Sequence, residues 1–442
     1  MNFLKDKSLS ITEIKAQDIR FPTSLKADGS DAMHKDPDYS CVYVTIKTEK
    51  LSGYGMTFTL GRGNEIVLKA VNSLTFLVKN RLVHEIFSNF GNFWRELTSE
   101  TQLRWIGPEK GVMHLATAAI INALWDLWAR IEEKPVWKLL SDMEPEMLVS
   151  TIDFRYITDV ITKDEAIDLL KSRQENGKNE RIKELLANGY PAYTTQVGWI
   201  GYSDEKIKSL CKEYLAAGYT AFKIKVGQNL ENDIKRCQLV RDEIGYEKIL
   251  MVDANQVWDV QEAISWMSQL ANFKPLWIEE PTSPDDILGH ATIARALEKF
   301  GIYVATGEMC ANRVMFKQFL QARALEFCQI DSARIGGVNE ILSVYLMAAK
   351  LGVKVCPHAG GVGLCEMVQH LQMWDFVSLS GTKENRWIEF VDQQHEHFVE
   401  PAIVRKACYM PPTKPGYSTK FKADVIDKFE YPGGSEWQKI GK

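Results

Sequence analysis

Residues 221–228 of the chain, AFKIKVGQ, decide how the rest of the sequence is interpreted. Side chains of a β-strand point alternately to opposite faces, so three apolar side chains share one face here while Lys223 and Lys225 share the other. An edge strand with solvated lysines is the ordinary explanation of such a pattern. Amphipathic helix patterns flank this strand, however, as they do in β/α units, whose strands are normally buried on both faces. The two lysines are therefore expected to have buried partners.

The alternation of strand and helix patterns continues through the second half of the chain. Eight strands in one run favour a parallel (β/α)8 barrel over a doubly wound sheet. Neither a complete dinucleotide-binding glycine fingerprint nor a GxxxxGK[ST] loop is present. We predict that the charged segment 160–192 is a helical insertion after the first strand. The candidate strands are MLVSTIDF (147–154), TAFKIKV (220–226), ILMVDAN (249–255), PLWIEE (275–280), IYVATGE (302–308), LEFCQID (325–331), VKVCPH (353–358) and RWIEFVD (386–392).

The residues before this run form a different pattern, with short strands followed by helices. SITEIKAQDIRF, CVYVTIKTE and GYGMTFTL are strand-like, and three amphipathic segments follow them. This order is typical of a separate α+β domain. We predict an α+β domain over residues 1–146, a barrel domain over 147–392 and a polar tail over 393–442.

The composition is that of an ordinary soluble protein and argues against a nucleic-acid or membrane partner. The 442 residues carry a net charge of −5 and no basic stripe. The apolar stretch 114–129 contains Asn122 and Asp126, which indicates a buried helix and not a membrane span. The N-terminal residues lack the apolar core of a signal peptide. Eight scattered cysteines without a CxxC pair indicate reduced thiols in a cytoplasmic protein.

Charged or polar residues end seven consecutive candidate strands. In barrel enzymes the C-terminal ends of the strands converge on one mouth, where the chemistry takes place. A single such residue is usually a cap or a turn residue, but seven in succession predict a functional site. These residues are Lys223 and Lys225, Asp253 and Asn255, Glu279, Glu308, Asp331, His358 and Glu389.

Three of these residues, Asp253, Glu279 and Glu308, form an oxygen-only set on adjacent strands. Such a set favours a hard cation, and Mg2+ fits best. If the acids merely paired with nearby cations, several like charges would share one site, which carboxylates strongly resist. The HEH sequence at 395–397 is a rival zinc motif, but it follows the last strand and is interpreted as structural. The role of His34 stays open, because its loop lies where it could cover the site.

Together these motifs resemble the enolase superfamily, in its mandelate racemase-like branch. The matching motifs are KIKV, VDANQ, WIEEPTSPDD, TGE and the pair QID and CPH. Longer segments resemble the L-fuconate and L-galactonate dehydratases of that superfamily, namely RFPTSL, DGSDAMHKDPDYS, RWIGPEKG, EEPTSPDDILGH, PHAGGVGLCE and EFVDQQHEHF. In GEMCANRVMF, Ala311 departs from the family pattern, which has a polar residue there, so the resemblance does not specify the sugar.

The resemblance implies an α/β fold in which the N-terminal domain caps a modified barrel and the tail completes the cap. It also implies Mg2+ on the three carboxylates, a sugar-acid substrate and a homo-oligomer. Residues implied to hold the substrate are Gly29, Ser30, Asp31, Tyr39, Lys223, Asn255 and Glu389.

The implied reaction removes the C2 proton and expels the C3 hydroxyl, which gives a 2-keto-3-deoxy acid. Lys225 is the expected base, and its pKa must fall to about 7, a change of roughly 4–5 kcal/mol. Lys223 and Mg2+ are expected to disfavour its charged form. His358, oriented by Asp331, is the expected acid. An epimerase or racemase, a dehydratase of L-rhamnonate or another aldonate, and a non-catalytic binding protein remain alternatives.

Overall fold

The N-terminal part is built on a three-stranded antiparallel sheet, in a computed structural model that describes residues 1–26 and 28–441. The strands are β1 (Glu13–Arg20), β2 (Ser40–Lys47) and β3 (Ser52–Met56), paired in the order β1-β2-β3. Strand β1 lies within a stretch predicted to be a strand, and β2 and β3 overlap the other two predicted stretches but begin one residue earlier. The helices that follow are α1 (Asn64–Leu74), α2 (Val83–Ser88), α3 (Phe90–Thr98), α4 (Gly111–Ile131), α5 (Val136–Asp142) and α6 (Pro145–Ser150).

Helix α4 packs directly against strand β3, which explains the glycines of that strand. A Cβ atom at Gly53 would lie 2.3 Å from the carbonyl oxygen of Ala123, and one at Gly55 would lie 2.3 Å from that of Ala119. Only glycine permits this approach of two backbones. By length and composition alone α4 could cross a bilayer, but 94% of its most apolar window is buried inside the protein, as in a core helix.

Eight parallel strands form the second sheet, and their order matches the chain order. Strands β4 to β10 pair consecutively, and β11 pairs with β4. Between β10 and β11 the described residues show no strand pairing, but the Cys356 thiol lies 3.8 Å from the carbonyl oxygen of Asn385. This is the predicted α/β barrel. Its strands are β4 (Tyr190–Thr194), β5 (Ala221–Lys225), β6 (Ile249–Asp253), β7 (Pro275–Glu279), β8 (Tyr303–Thr306), β9 (Phe327–Cys328), β10 (Lys354–Val355) and β11 (Ile388–Phe390).

One predicted strand is wrong. Residues 147–154 do not begin the barrel, because α6 occupies Pro145–Ser150 and the first barrel strand is β4. Pro145 stands in the first turn of α6, where proline favours a helix. The charged segment 160–192 is largely helical, as predicted, but its two helices, α7 (Lys163–Glu175) and α8 (Lys178–Asn188), precede the first strand. The domain boundaries proposed at 146 and 392 stay predictions.

Helices follow seven of the barrel strands in the expected alternation and cover the outside of the sheet. Ser203 and Asn229 cap the first two through side-chain oxygens that accept backbone N–H groups. The seven helices after β4 and before β11 are α9 (Asp204–Ala216), α10 (Leu230–Ile244), α11 (Val260–Leu270), α12 (Ile287–Leu297), α13 (Arg313–Gln321), α14 (Val338–Lys350) and α15 (Leu364–Ser378).

Strand β5 is buried on both faces. Phe222 and Ile224 belong to the main hydrophobic core, whereas Ala221 belongs to a separate small cluster with residues of other strands, including Met251 and Trp277. Lys223 and Lys225 alternate with Phe222 and Ile224, so they lie on the same face as Ala221, above the small cluster. The lysines therefore point into the barrel, toward its C-terminal mouth.

The chain after β11 returns to the N-terminal part. A short hairpin of β12 (Val404–Arg405) and β13 (Cys408–Tyr409) pairs with β4, and helices α16 (Ala423–Phe429) and α17 (Ser435–Ile440) follow. The buried indole of Trp437 donates a hydrogen bond of 3.0 Å to the carbonyl oxygen of Arg20 at the end of β1. The tail thus completes the cap, as the resemblance implies.

Candidate active site

Three carboxylates meet at the mouth of the barrel. Asp253 ends β6, Glu279 ends β7 and Glu308 follows β8, and one oxygen of each lies within 4.8 Å of the other two. Adjacent parallel strands bring their ends to the same rim, which is why residues far apart in sequence meet here. The cluster offers only oxygen donors, as a hard divalent cation requires.

The two lysines of β5 face these carboxylates. The Lys223 Nζ atom lies 2.5 Å from Glu279 Oε1 and 2.9 Å from Glu389 Oε1, and the Lys225 Nζ atom lies 2.5 Å from Asp253 Oδ2. Lys223 is 1% exposed and Lys225 is 6% exposed, so both ion pairs are buried. These carboxylates are the buried partners expected for the two lysines of residues 221–228.

The expected lowering of the pKa of Lys225 is not what the protein's own groups produce. Burial is the largest single influence and favours the neutral amine, but the negative charges of Asp253, Asp31 and Glu308 together outweigh it and raise the pKa of Lys225 above its usual value. The influence of Lys223, which lowers this pKa, is smaller than that of Asp253. Lys225 can therefore act as a neutral base only if a cation offsets the negative charge of Asp253.

The acids of the carboxylate cluster lie close enough to repel one another, as in a site that binds a cation. Burial, and next to it the charge of Asp253, raise the pKa of Glu279 despite the hydrogen bond from Lys223. Burial and the charge of Glu308 raise the pKa of Glu280, the next residue along the chain. The residues present thus fit a divalent cation, which would relieve the repulsion between these acids.

His358 and Asp331 form the predicted pair. The Nδ1 atom of His358 lies 2.7 Å from Asp331 Oδ2, while its Nε2 atom lies 3.5 Å from Glu308 Oε2. Burial lowers the pKa of His358, but Glu308 and Asp331 outweigh burial and raise it to about 9. The imidazole is therefore protonated near neutral pH and can donate a proton.

A cavity of about 230 Å³ extends from these groups toward the cap. The predicted residues that line it are Gly29, Asp31, Tyr39, Lys225, Asn255, Glu308, Asp331, His358 and Glu389. Lys223, Asp253 and Glu279 lie deeper, and Ser30 is buried beside the cavity without lining it. Ala311, whose departure from the family pattern was noted above, is likewise not a lining residue within the described ranges.

The cap loop around Gly29 is fitted closely against Tyr39. Gly29 has a φ of +81°, and a Cβ atom there would lie 2.4 Å from the Tyr39 hydroxyl oxygen. The Tyr39 ring in turn packs edge-on against Phe58, with 5.2 Å between the ring centroids. Glycine is therefore required at position 29 both by conformation and by space.

Sequence reasoning missed several residues of the cavity. Trp199 lines it from the loop after β4, and its ring centroid lies 5.4 Å from Lys225 Nζ. Arg334 lines it as well, and its Nε donates to the carbonyl oxygen of Glu308 at 3.2 Å. A correct placement of the first barrel strand would have pointed to the loop that carries Trp199, since each βα loop contributes to the mouth.

His34 also reaches the cavity, whereas the histidines at 395–397 do not. His34 lines the cavity from the cap. His395 is instead bonded to Glu366 at 2.7 Å and to the carbonyl oxygen of Val391 at 2.8 Å, and His397 stacks on Phe21. The structural interpretation of the HEH sequence is confirmed.

Two family descriptions match the chain. Residues 23–141 match "Mandelate racemase / muconate lactonizing enzyme, N-terminal domain", and residues 206–425 match "Enolase C-terminal domain-like". These ranges correspond to most of the cap and to the barrel from α9 onward.

Similar proteins cover almost the whole chain. "Mitochondrial enolase superfamily member 1" of Homo sapiens is 60% identical over 433 residues, which are 97% of this chain and 98% of that protein. Its crystal structure superimposes with a TM-score of 0.97 over 98% of both chains, at 60% identity. "L-galactonate dehydratase" of Hypocrea jecorina is 52% identical over 435 residues, 97% of this chain and 96% of that protein.

A more distant solved structure shares the fold. L-talarate/galactarate dehydratase from Salmonella typhimurium LT2, liganded with Mg and L-lyxarohydroxamate, has a TM-score of 0.73 at 22% identity, covering 94% of this chain and 91% of that one. The carboxylate cluster of the present chain fits the predicted Mg2+ cofactor.

Proposed function

Because this chain belongs to the enolase superfamily, we propose that it dehydrates a six-carbon sugar acid of the L-galactonate or L-fuconate type. The relatives named L-galactonate dehydratase and L-talarate/galactarate dehydratase are hydro-lyases. The product would be a 2-keto-3-deoxy acid. The observation that carries the proposal is the joint placement, around one cavity, of a lysine pair, an Asp–His pair and three clustered carboxylates.

The protein's own residues supply the two proton transfers. Lys225 Nζ, in its neutral form, takes the proton from C2, and the electron pair passes toward the substrate carboxylate. His358 then donates the proton on its Nε2 atom to the C3 hydroxyl, which leaves as water. Asp331 holds the Nδ1 side of the ring, so it fixes the orientation of His358 and stabilises its charged form. Lys223 lies beside Glu279 and Glu389 and adds positive charge near the substrate carboxylate.

Asp253, Glu279 and Glu308 would hold the metal ion. When bound, Mg2+ supplies the positive charge that stabilises a carboxylate acquiring a second negative charge. Glu279 is kept in place by a hydrogen bond of 2.7 Å from Gln329 and one of 3.2 Å from the Trp277 indole. Such supporting contacts orient metal ligands before the ion arrives.

A panel of acid sugars tests the proposal. The purified protein is incubated with Mg2+ and L-galactonate, L-fuconate or L-rhamnonate, and 2-keto acid is measured by semicarbazone absorbance. We expect keto acid from at least one of the first two, its loss on chelation and its return with Mg2+. Stereoisomers without keto acid would identify an epimerase instead. Keto acid from L-rhamnonate alone would make L-rhamnonate the substrate. No reaction with a broad panel would favour a binding protein.

Two matched glutamate variants separate the metal site from general damage. Glu308→Gln should lower kcat/KM at least 100-fold, since it weakens the charge that holds the cation. Glu326→Gln changes a half-buried glutamate outside the cavity, whose Oε2 accepts the Val304 N–H at 3.0 Å. It should leave kcat/KM within about threefold of the wild type.

Location and assembly belong to the same proposal. We infer a cytoplasmic enzyme that forms a homo-oligomer and acts on a small molecule without a nucleic-acid or membrane partner. The names of the human relative and its mammalian counterparts refer to mitochondria for those proteins. Microscopy of the chain tagged at its C-terminus and light scattering of the purified protein would test both inferences.

A further inference from the structure

The cap loop that covers the cavity contains a second Asp–His pair. The Nδ1 atom of His34 lies 3.0 Å from Asp31 Oδ2 and 3.2 Å from Asp31 Oδ1. Both residues line the cavity that holds Lys225 and His358. The reaction proposed above uses only the pair in the barrel, so the pair in the cap has no assigned role.

The contacts of Asp31 show that it organises its own loop. Its Oδ1 atom accepts the backbone N–H of Met33 at 2.8 Å and that of His34 at 2.6 Å, in addition to the imidazole. The Asp31 backbone N–H donates to the carbonyl oxygen of His34 at 2.9 Å. The Oδ1 atom is therefore fully engaged, whereas Oδ2 accepts only the imidazole among the described residues.

His34 presents its other nitrogen. Since Nδ1 is bound to Asp31, the ring is fixed in orientation, and Nε2 makes no hydrogen bond to any described residue of the protein. About a third of the side chain, 36%, is accessible, in contrast to the buried Asp31. The hydrogen bond with Asp31 raises the pKa of His34, which favours an imidazole with a proton on both nitrogens. Nε2 is therefore accessible and preorganised, and it donates a hydrogen bond when the ring carries both protons.

The position of His34 suits a particular part of the substrate. Lys225 and His358 act on C2 and C3, and both belong to the barrel. The rest of a six-carbon chain must extend away from them through a cavity of about 230 Å³, whose other side is formed by the cap. Groups on the cap therefore meet the carbons beyond C3, which in an aldonate carry hydroxyl groups.

We propose that His34, held by Asp31, donates a hydrogen bond from Nε2 to a hydroxyl oxygen beyond C3 and so determines which sugar acids are accepted. This inference rests on the proposed dehydratase function. A site that hydrogen-bonds a substrate hydroxyl discriminates strongly against an analogue that lacks it, because the donor is then left without a partner. His34 would be a specificity-determining residue, and the proton transfers would remain with Lys225 and His358.

Deoxy substrates test the contact atom by atom. Wild type, His34→Ala and His34→Gln are compared on L-galactonate and on its 4-deoxy, 5-deoxy and 6-deoxy analogues, the last of which is L-fuconate. For the substrate with all hydroxyls, His34→Ala should lower kcat/KM about 10- to 100-fold, and His34→Gln, which keeps a donor, should recover part of the loss. For one analogue, the one without the contacted hydroxyl, the wild type and His34→Ala should agree within about threefold.

A matched histidine serves as control, and binding separates the two proposals. His84→Ala, in α2 and away from the cavity, should behave as the wild type on every substrate. An equal loss for His34→Ala across all analogues, or no loss on any, would overturn the role of His34 while leaving the dehydratase intact. If the wild type dehydrates nothing, calorimetric titration with L-galactonate and Mg2+ tests the contact directly. Weaker binding in His34→Ala than in the wild type and His84→Ala would support the contact. Equal binding in the three proteins, or no binding at all, would contradict it.

Discussion

Lys225 and His358 are assigned different proton transfers, so replacing them should stop the reaction at different points. Lys225→Ala should abolish both dehydration and exchange of the C2 hydrogen with deuterated water, because the C2 proton is never removed. His358→Asn should abolish dehydration but retain slow exchange, because the proton can still leave C2 and return. Proton NMR of the recovered sugar acid measures exchange, and a keto-acid assay measures dehydration.

The opposite result would reverse these assignments. Exchange retained in Lys225→Ala and lost in His358→Asn would make the histidine the base. Lys225 would then serve only as a counter-charge, as its 2.5 Å contact with Asp253 already allows. Thermal melts of both variants provide the control, since a variant that has unfolded reports nothing about proton transfer.

His395 should make the stability of the protein depend on pH. Burial lowers its pKa, but the adjacent Glu366 outweighs burial and raises the pKa to about 9, from an ordinary value of 6.5. Because the folded state holds the proton more tightly, the stabilisation is complete below pH 6.5 and is lost as the pH rises through 9. A difference of this size corresponds to roughly 3 kcal/mol in the free energy of unfolding.

Urea unfolding of the wild type and His395→Gln, followed between pH 6 and 10, checks this expectation. The gap between the two free energies of unfolding should shrink with increasing pH, since only the wild type loses a favourable proton. Other groups titrate in the same range, and the comparison with the variant removes their contribution. A gap that stays constant would contradict the assigned cause.

At the scale of residues, the pattern of charged residues at the strand ends predicted which of these side chains meet at one site, but it did not predict all of their neighbours. Lys223, Asp253 and Glu279 could be placed at one site from the alternation and the strand ends alone. Trp199 and His34 could not, because each comes from a loop whose path depends on tertiary packing. The pKa of Lys225 was also beyond sequence reasoning, since its direction depends on whether Asp253 or Lys223 is the stronger influence.

The loop after β4 is held by one partly buried guanidinium, and this should matter for catalysis. Arg236, in α10, donates from Nη2 to the carbonyl oxygens of Gly198 at 2.7 Å and Lys225 at 3.3 Å, and from Nη1 to that of Trp199 at 3.4 Å. Arg236→Met should let this loop shift. We expect kcat/KM to fall at least about 10-fold, since small misplacements at an active site are costly.

Arg241 provides the matched control, because it lies on the same helix and also binds backbone carbonyls. Its partners are Phe273, Gly245, Lys248 and Lys274, which belong to the opposite end of the barrel strands. Arg241→Met should lower the melting temperature as Arg236→Met does, since both leave carbonyls without a donor. Its kcat/KM, measured well below the melting temperature, should stay within about threefold. Equal losses of activity in the two variants would contradict the specific role of Arg236.

At the scale of elements, most strands were predictable and the first was not. A short apolar run such as 147–154 fits a buried helix or a strand equally well by periodicity. The true first strand contains Pro191, and proline argues against a central strand because it cannot donate to the ladder. In the structure the parallel ladder with β11 begins at the following residue, Ala192, so Pro191 is tolerated.

The tail should contribute strongly to the stability of the cap. Trp437 is 1% exposed and joins α17 to the end of β1. Trp437→Ala removes this side chain from a packed site and should lower the free energy of unfolding by about 3–5 kcal/mol. Trp105→Ala is the control, because Trp105 is 91% exposed and its replacement should change stability by less than about 0.5 kcal/mol. Equal urea midpoints for the two variants would show that the tail does not stabilise the cap.

The pairing of the beginning of the chain with its end has a consequence for synthesis on the ribosome. Arg20 and Trp437 are 417 positions apart, and β4 lacks two of its partner strands until residues 388–390 and 408–409 have been made. At translation rates of roughly 5–20 residues per second, the cap waits roughly 20–80 seconds for its last contact. Throughout that interval the nascent chain exposes strand edges and apolar surface that the finished protein buries. A chaperone that shields this surface would therefore increase the yield of active enzyme more than a faster ribosome would.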